Sequence, residues 1–482
     1  MTSRKVVVLG YGMAGSRLAE EIRRRDPEAR TVELTVVGAE WETAYNRVLL
    51  SSVLAGTMKP DSVRLHDEDW AGRQGVDLRT GVTAVRIDRA HRVVHLSDES
   101  IVDYDALVLA TGADPWIPPT EGLCFDDGSL APGVVTFRTL ADCDRILSAA
   151  RVGAPVAVLG GGLLGLEAAR GLAGRGNLVT VVHPPEHLME RQLDAEGGRV
   201  LARTLGELGI DFRLGTTAAR YLPGDGLKLA DDSHVQADLV VVSAGVRANT
   251  ALAVHAGLAV DRGVLVDDAL RTSDGRVHAI GDCAQHPGTV SGLVQPAWEQ
   301  AEVLADLLTG TDAAARYRGT AVLTRLKARG VDLAAFGDAQ AGQDDAGTEV
   351  VSVSDAGRGR YARIVVRENK IAGAILLGAP EAAATVTQLY DRSTPLPDDR
   401  LGLLMGRGTP GGSAPVAASP ADLPASAVVC RCNTVSKGKL VEAWRSGATT
   451  VPELARATRA TTGCGSCADA VCGIADWLTT TA

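Results

Sequence analysis

Four cysteines are spaced to grip one metal centre. Cys430 and Cys432 stand one residue apart, and after 31 intervening residues Cys464 and Cys467 stand two apart. Thiolates from two short loops can hold a single soft metal centre. Zinc loops usually space their first pair by two to four residues, so the narrower pair favours iron and sulfide over zinc. Cys472 could replace Cys467 as a ligand, but its place reads better as a buried thiol on a helix. A second chemistry sits in two glycine loops, Gly10-Tyr11-Gly12-Met13-Ala14-Gly15 and Gly160-Gly161-Gly162-Leu163-Leu164-Gly165. In such a loop the first glycine permits the turn and the second lets a phosphate approach. The third lets helix and strand pack closely, while the free N–H groups of the helix face a pyrophosphate. Glu40 follows the first unit, where a carboxylate can accept hydrogen bonds from a ribose. His183 occupies the matching place in the second unit, and no arginine follows until Arg191. Without a guanidinium for a 2′-phosphate, NADH is favoured over NADPH.

The elements that must position these residues are legible around them. Val6 to Leu9 is a short, continuous, β-branched run, as expected for a buried parallel strand. The glycine loop, a helical stretch through Arg25 and a strand over Leu34 to Val37 complete a βαβ unit. The same grammar returns with a strand at Val156 to Leu159, a helix over Leu166 to Ala173 and a strand at Val179 to Val182. Two more buried strands end in small-residue turns, Leu107-Val108-Leu109-Ala110-Thr111-Gly112 and Val240-Val241-Val242-Ser243-Ala244-Gly245. Residues 316–405 read as a small α+β domain, with strands at Tyr361 to Val366 and Ile371 to Leu377 before a helix near 380–391. The Gly-, Pro-, Ala- and Ser-rich stretch 406–425 reads as a linker. In the cysteine-bearing tail, Thr450-Val451-Pro452-Glu453 has capping-box spacing and a proline suited to a first helical turn. A last helix is expected from Ala468 to Leu478 with Val471, Ile474 and Leu478 on one face, so the tail reads as short helices joined by cysteine-bearing loops.

Composition narrows the classes. With 482 residues, 45% of them hydrophobic and 22% charged, the chain is too long for one core and predicts three or four domains. The net charge of −10 argues against a nucleic-acid partner. Five of the eight cysteines crowd beyond residue 429, unlike a secreted disulfide scaffold. Neither a signal peptide nor an apolar run of about 18 residues is visible, which predicts a cytoplasmic protein with no membrane span.

The two units, the Ala110-Thr111-Gly112 turn and Ile280-Gly281-Asp282 together resemble the two-dinucleotide-binding-domain flavoproteins. The resemblance implies that the first unit binds FAD, through Gly10, Gly12, Met13, Ala14, Gly15, Glu40, Asn46, Arg47, Ala110, Thr111, Gly112, Gly281 and Asp282, with Asp282 on the ribityl chain. It implies that Gly160, Gly162, Leu163, Leu164, Gly165, Glu167, His183 and Gly245 bind the nicotinamide nucleotide. It divides the chain into an FAD-binding domain (1–115 and 247–315), an NAD(P)H-binding domain (116–246), the α+β domain and the tail (426–482). The family's disulfide reductases carry a cysteine pair beside the flavin. Here that region reads Ala44-Tyr45-Asn46-Arg47-Val48-Leu49 and has none, so dithiol chemistry is not expected; Cys124 and Cys143 read as structural thiols.

More narrowly, Tyr45-Asn46-Arg47-Val48-Leu49-Leu50-Ser51, Gly162 to Ala169 and Leu188-Met189-Glu190-Arg191-Gln192-Leu193-Asp194 resemble the NAD(P)H-dependent nitrite reductase large subunits. The tail resembles the [2Fe–2S] domain of bacterioferritin-associated ferredoxin, with Cys430, Cys432, Cys464 and Cys467 as ligands. The fold so implied is α/β, with two Rossmann-like domains, a small α+β domain and a small helical [2Fe–2S] domain. The implied activity is NADH oxidation through FAD and the cluster. Because a sirohaem region is not found after the tail, the resemblance is carried to the electron-transfer subunit of assimilatory nitrate reductase, which serves a separate molybdenum-containing subunit. Two alternatives remain: a reductase for ferredoxin, rubredoxin or a nitrite reductase subunit, and a flavin redox sensor with a zinc-binding interaction tail.

Overall fold

Continuous β-branched strands bury both faces only when helices cover each side of a parallel sheet, and that is how the first part of the chain is built. The computed structural model describes residues 3–342, 344–406, 420–463, 465 and 467–481. One parallel sheet runs, edge to edge, through Val277–Ala279, Ala106–Leu109, Arg4–Leu9, Val32–Gly38 and Val76–Thr80. A second runs through Ile210–Leu214, Leu178–His183, Pro155–Leu159, Leu239–Val242 and Val134–Thr136, also all parallel. In each sheet the strand that feeds the glycine loop is central, and the helices Met13–Arg25 and Leu163–Gly174 leave from its carboxyl end. Each unit also carries a three-stranded antiparallel sheet, from Ala84 to Asp103 in one and from Ala218 to Gln236 in the other. The chain leaves the first unit along Ala113–Pro115 and returns along Val246–Ala248, and these two short strands pair antiparallel.

The third sheet is antiparallel, ordered Leu323–Arg325, Leu333–Gly337, Lys370–Leu377, Arg360–Arg367 and Thr348–Asp355, with the helix Pro380–Arg392 packed on it. The tail differs from the expected row of helices. It opens with a two-stranded ladder, Val428–Cys430 against Val435–Ser436, which places Cys430 at a strand end rather than in a loop. The helices Lys437–Arg445, Val451–Thr458 and Ala468–Thr481 follow. Thr450 and Glu453 form the reciprocal cap that their spacing predicts.

Two expectations need correction. Residues 407–419 lie outside the described residues, but 420–425 do not behave as linker. The Lys437 ammonium donates to the Leu423 carbonyl at 2.6 Å and the Gly438 N–H to the Ala425 carbonyl at 2.8 Å, which ties this stretch to the tail. Cys472 is helical but exposed, not buried. The buried face of its helix is formed by Val471, Ile474, Ala475 and Leu478, and Cys472 lies about 100° round the axis from Val471. Among the described residues no helix is long and apolar enough to cross a membrane.

Candidate functional site: two nucleotide cradles and a docked cysteine cluster

The two glycine loops are near-copies in space. Gly10 has φ +118°, and a Cβ there would stand 2.1 Å from the Ala110 carbonyl oxygen; Gly160 has φ +121°, and its Cβ would stand 2.2 Å from the Ser243 oxygen. A Cβ on Gly15 would stand 1.9 Å from the Gly10 oxygen, and one on Gly165 would stand 2.0 Å from the Gly160 oxygen. Each third glycine is therefore set by helix-on-strand contact. At the middle glycines the space opens. Nothing lies within 4 Å of a Cβ on Gly162, and only the Arg47 guanidinium reaches 4.0 Å from one on Gly12. Both residues cap their helices in extended conformation without a side-chain cap, and neither first turn carries an acid. The helix-start N–H groups and the positive end of the dipole are left for an anion, as a pyrophosphate requires.

The remaining residues of the first unit gather around this loop. Glu40 accepts from the Tyr45 hydroxyl at 2.6 Å and pairs with Arg47, whose guanidinium lies over the Tyr45 ring. The Thr111 hydroxyl donates to the Asn249 carbonyl at 2.8 Å and the Asn249 N–H to the Gly112 oxygen at 2.9 Å, fixing the Ala110-Thr111-Gly112 turn across the inter-unit crossing. Gly281 has φ +75° and comes so close to Ala14 that a Cβ would meet the alanine methyl at 2.8 Å. Its N–H donates to Gln300 at 2.8 Å, and the neighbouring Asp282 pairs with Arg138 at 2.7 Å. Arg138 was not among the expected site residues; nothing in its local sequence marks it. Met13 and Ala14 open the helix.

Asn46, expected at the flavin, also ties this unit to the tail. Its side-chain oxygen accepts from the Val48 N–H at 3.0 Å, and its amide nitrogen donates to the Thr462 and Gly463 carbonyls of the tail at 2.6 and 2.7 Å.

In the second unit His183 does more than end a strand. Its Nδ1 accepts the Gly161 N–H at 3.1 Å, and its Nε2 faces Glu190 at 3.1 Å. Burial pulls the imidazole below its ordinary pKa against the opposing pull of Glu190. Accepting at Nδ1 places the proton of the neutral ring on Nε2, toward the carboxylate. Glu167 is buried and accepts from the Lys327 N–H at 3.1 Å, with the Lys327 ammonium 3.3 Å away. That ammonium also donates to the Val48 carbonyl, joining the antiparallel domain to both nucleotide units. Gly245, at φ +116°, accepts the Trp116 N–H at the crossing. Leu163 and Leu164 lie in the helix's first turn.

In the tail, Cys430, Cys432 and Cys467 are buried together; Cys464 lies outside the described residues. The Cys430 and Cys432 sulfurs are 3.6 Å apart. Hydrogen bonding to Cys432 and then Cys467 outweighs burial and holds the Cys430 thiol far below its ordinary pKa, the state a metal ligand needs. Asn433 presents its amide to both sulfurs, at 3.7 and 3.9 Å. A Cβ on Gly463 would meet the Cys432 sulfur at 2.2 Å. This close-packed set of sulfurs fits a thiolate-bound cluster. Trp298, from the helix Val294–Thr309, is buried in the same small core as Cys430, Cys432 and Cys467, and its indole N–H donates to the Met13 carbonyl at 3.1 Å. Sequence reasoning passed over Trp298 because nothing local distinguishes it.

Comparison with known proteins agrees with this geometry. The pyridine nucleotide-disulphide oxidoreductase model matches residues 4–301. The chain belongs to that family. Within this oxidoreductase, the rubredoxin NAD+ reductase C-terminal domain model matches residues 323–394 and the BFD-like [2Fe-2S] binding domain model matches 428–476. The oxidoreductase is 35% identical over 97% of its length to a nitrite reductase [NAD(P)H] of Bacillus subtilis (strain 168), covering 57% of that protein. It is also 35% identical over 97% of its length to the assimilatory nitrate reductase electron transfer subunit of the same organism, covering 59% of it. The chain thus spans under two thirds of the length of either relative. Its fold superposes on the covalent putidaredoxin reductase–putidaredoxin complex with a TM-score of 0.74 and 25% identity, over 84% of this chain and 96% of that one. FAD, NADH and a [2Fe–2S] cluster are the cofactors that the matched family, the two cradles and the cysteine module call for.

Proposed function

We propose that this oxidoreductase takes hydride from NADH and delivers electrons singly to a separate catalytic reductase subunit. The observation that carries the reading is the seating of the cysteine module against the first glycine unit, through Trp298, Met13 and Asn46. Bound FAD would supply the conversion of a two-electron hydride into one-electron steps. The chain's own residues do the positioning. The helix start at Gly12, with Met13, Ala14 and Arg47 beside it, holds one pyrophosphate, and Glu40 serves the adjoining ribose. Asp282, beside Arg138, takes the sugar-chain hydroxyls, while Gly10, Gly15, Ala110, Thr111, Gly112 and Gly281 shape the cradle. Asn46 braces the nearby wall through its bonds to the tail.

The helix start at Gly162, shaped by Gly160, Gly165 and Gly245, holds the NADH pyrophosphate, with Leu163 and Leu164 in its first turn. Glu167 steadies this wall through Lys327. His183 braces the loop through Gly161, and the Glu190 carboxylate it carries repels a 2′-phosphate, which supports NADH over NADPH. Cys430, Cys432, Cys464 and Cys467 hold the cluster. No side chain needs to act as nucleophile.

For the acceptor, the likeness to a nitrate reductase electron transfer subunit supports a molybdenum-containing nitrate reductase in the cytoplasm, where thiolates stay reduced. The equal likeness to a nitrite reductase supports nitrite reduction as the second reading. Anaerobic titration with NADH tests the carriers: flavin bleaching followed by loss of the broad cluster absorbance is expected, and a tail with zinc and no iron or sulfide would refute the reading. NADH-dependent turnover with each catalytic partner separates the two acceptors.

A further inference from the structure

The tail is held on the flavin unit by charge as well as by Trp298. The Arg459 guanidinium reaches Glu21 at 2.5 Å and Glu20 at 2.7 Å, both on the helix that leaves the first glycine loop. The Arg459 carbonyl accepts from Asn433 at 2.6 Å, and the same amide faces the Cys430 and Cys432 sulfurs. Arg17 adds a bond from the helix to the Asn433 oxygen at 3.3 Å and lies over the Trp298 ring. On the other side, Glu20 receives His66 at 2.8 Å, and His66 bonds the Tyr11 hydroxyl at 2.5 Å. Tyr11 stands between the first two glycines of the first glycine loop. A run of contacts therefore leads from nucleotide loop to cysteine sulfurs: the side chains of Tyr11, His66, Glu20 and Arg459, then the Arg459 main-chain carbonyl to the Asn433 amide.

Arg459 also has φ +63°, where glycine is the unstrained choice. Arg459 thus ends the helix Val451–Thr458 in left-handed backbone and places its charge on the neighbouring unit.

We propose that Arg459 is the positioning residue that seats the cysteine module on the flavin unit, and that this seated pose is the one in which an electron leaves bound flavin for the cluster. The inference rests on the carriers proposed above. Two-electron-reduced flavin would give up its electrons one at a time, its protons going to solvent, and the cluster would accept each singly and pass it to the acceptor; Arg459 and Asn433 hold the two sites together for that exchange.

The experiment uses the full holoprotein and the variants Arg459→Glu, Arg459→Gln and Arg459→Lys. Hydrogen exchange without NADH reads the dock itself. Amides 459–463 and those around Trp298 exchange faster in Arg459→Glu, while those of the helix Ala468–Thr481 keep their protection. Anaerobic stopped-flow then reads transfer. Flavin bleaching by NADH stays at the wild-type rate, cluster bleaching slows by about tenfold or more in Arg459→Glu, as expected for a misplaced donor–acceptor pair, and Arg459→Lys restores most of it. Unchanged exchange, or wild-type cluster bleaching in Arg459→Glu, overturns the proposal. So does loss of iron from both Arg459→Glu and Arg459→Gln, since Arg459 would then hold the module together rather than seat it. A wild-type cluster that stays oxidised while flavin bleaches refutes the carriers instead, and leaves the exchange result to decide the dock.

Discussion

Alanine in place of the third glycine of each loop should separate the two nucleotide sites. In Gly165→Ala the new methyl would stand 2.0 Å from the Gly160 carbonyl oxygen, and in Gly15→Ala 1.9 Å from the Gly10 oxygen. Van der Waals contact needs roughly 3.5 Å, so each helix start must retreat by more than about 1 Å. Overpacking of that kind costs about 1–3 kcal/mol of stability. It also pulls the helix N–H groups from their phosphate, and each charge-assisted hydrogen bond lost is worth about 1.5–3 kcal/mol. At about 1.4 kcal/mol per tenfold, one lost bond weakens nucleotide binding by about 10- to 100-fold. Gly165→Ala should purify with normal flavin content but need far more NADH to bleach it in anaerobic stopped-flow. Gly15→Ala should lose flavin on purification yet still bind NADH in titration calorimetry. If Gly165→Ala strips the flavin while NADH still binds normally in titration calorimetry, the assignment of the loops is refuted.

Serine at Cys430, Cys432, Cys464 or Cys467 should abolish bound iron and sulfide, whereas Cys472→Ser, on the exposed helix face, should keep both; metal analysis of anaerobic preparations decides this. Asn46→Ala removes the acceptor for Val48 and the donor to the Thr462 and Gly463 carbonyls. It should cost about 1–3 kcal/mol, read as a lower urea midpoint with faster exchange at residues 459–463. Burial pushes the Glu21 carboxyl up, but Arg17, Arg459 and Arg24 together outweigh it and pull it down to about 2. A lowered native pKa means its contribution is complete above its ordinary value near 4.5 and is lost as pH falls from there toward 2. The stability gap between wild type and Glu21→Gln should therefore be constant above pH 5 and shrink through that window; a gap independent of pH would show that Glu21 is not paired as described.

Local pattern carried the parts of this protein that local physics governs. Val6 to Leu9 and Val156 to Leu159 are strands because short β-branched runs cannot be satisfied on a surface, and glycine spacing alone dictates the turns that follow. Thr450 and Glu453 announced their cap because both partners lie within one helical turn. Cys472 was misread although the signal was present: with Val471, Ile474 and Leu478 inward, its place on the helix points out.

The rest was invisible because it joins residues far apart in sequence. Arg138 meets Asp282, Lys327 meets Glu167, Trp298 enters the core of the tail and Arg459 finds Glu20 and Glu21. By itself the sequence determined which groups this oxidoreductase can hold, since glycines without Cβ atoms and paired thiols are local requirements of phosphate and of iron. Only the tertiary structure decided how the holders face one another, because a buried ion pair or an indole at a domain seam exists once two distant segments have left water together.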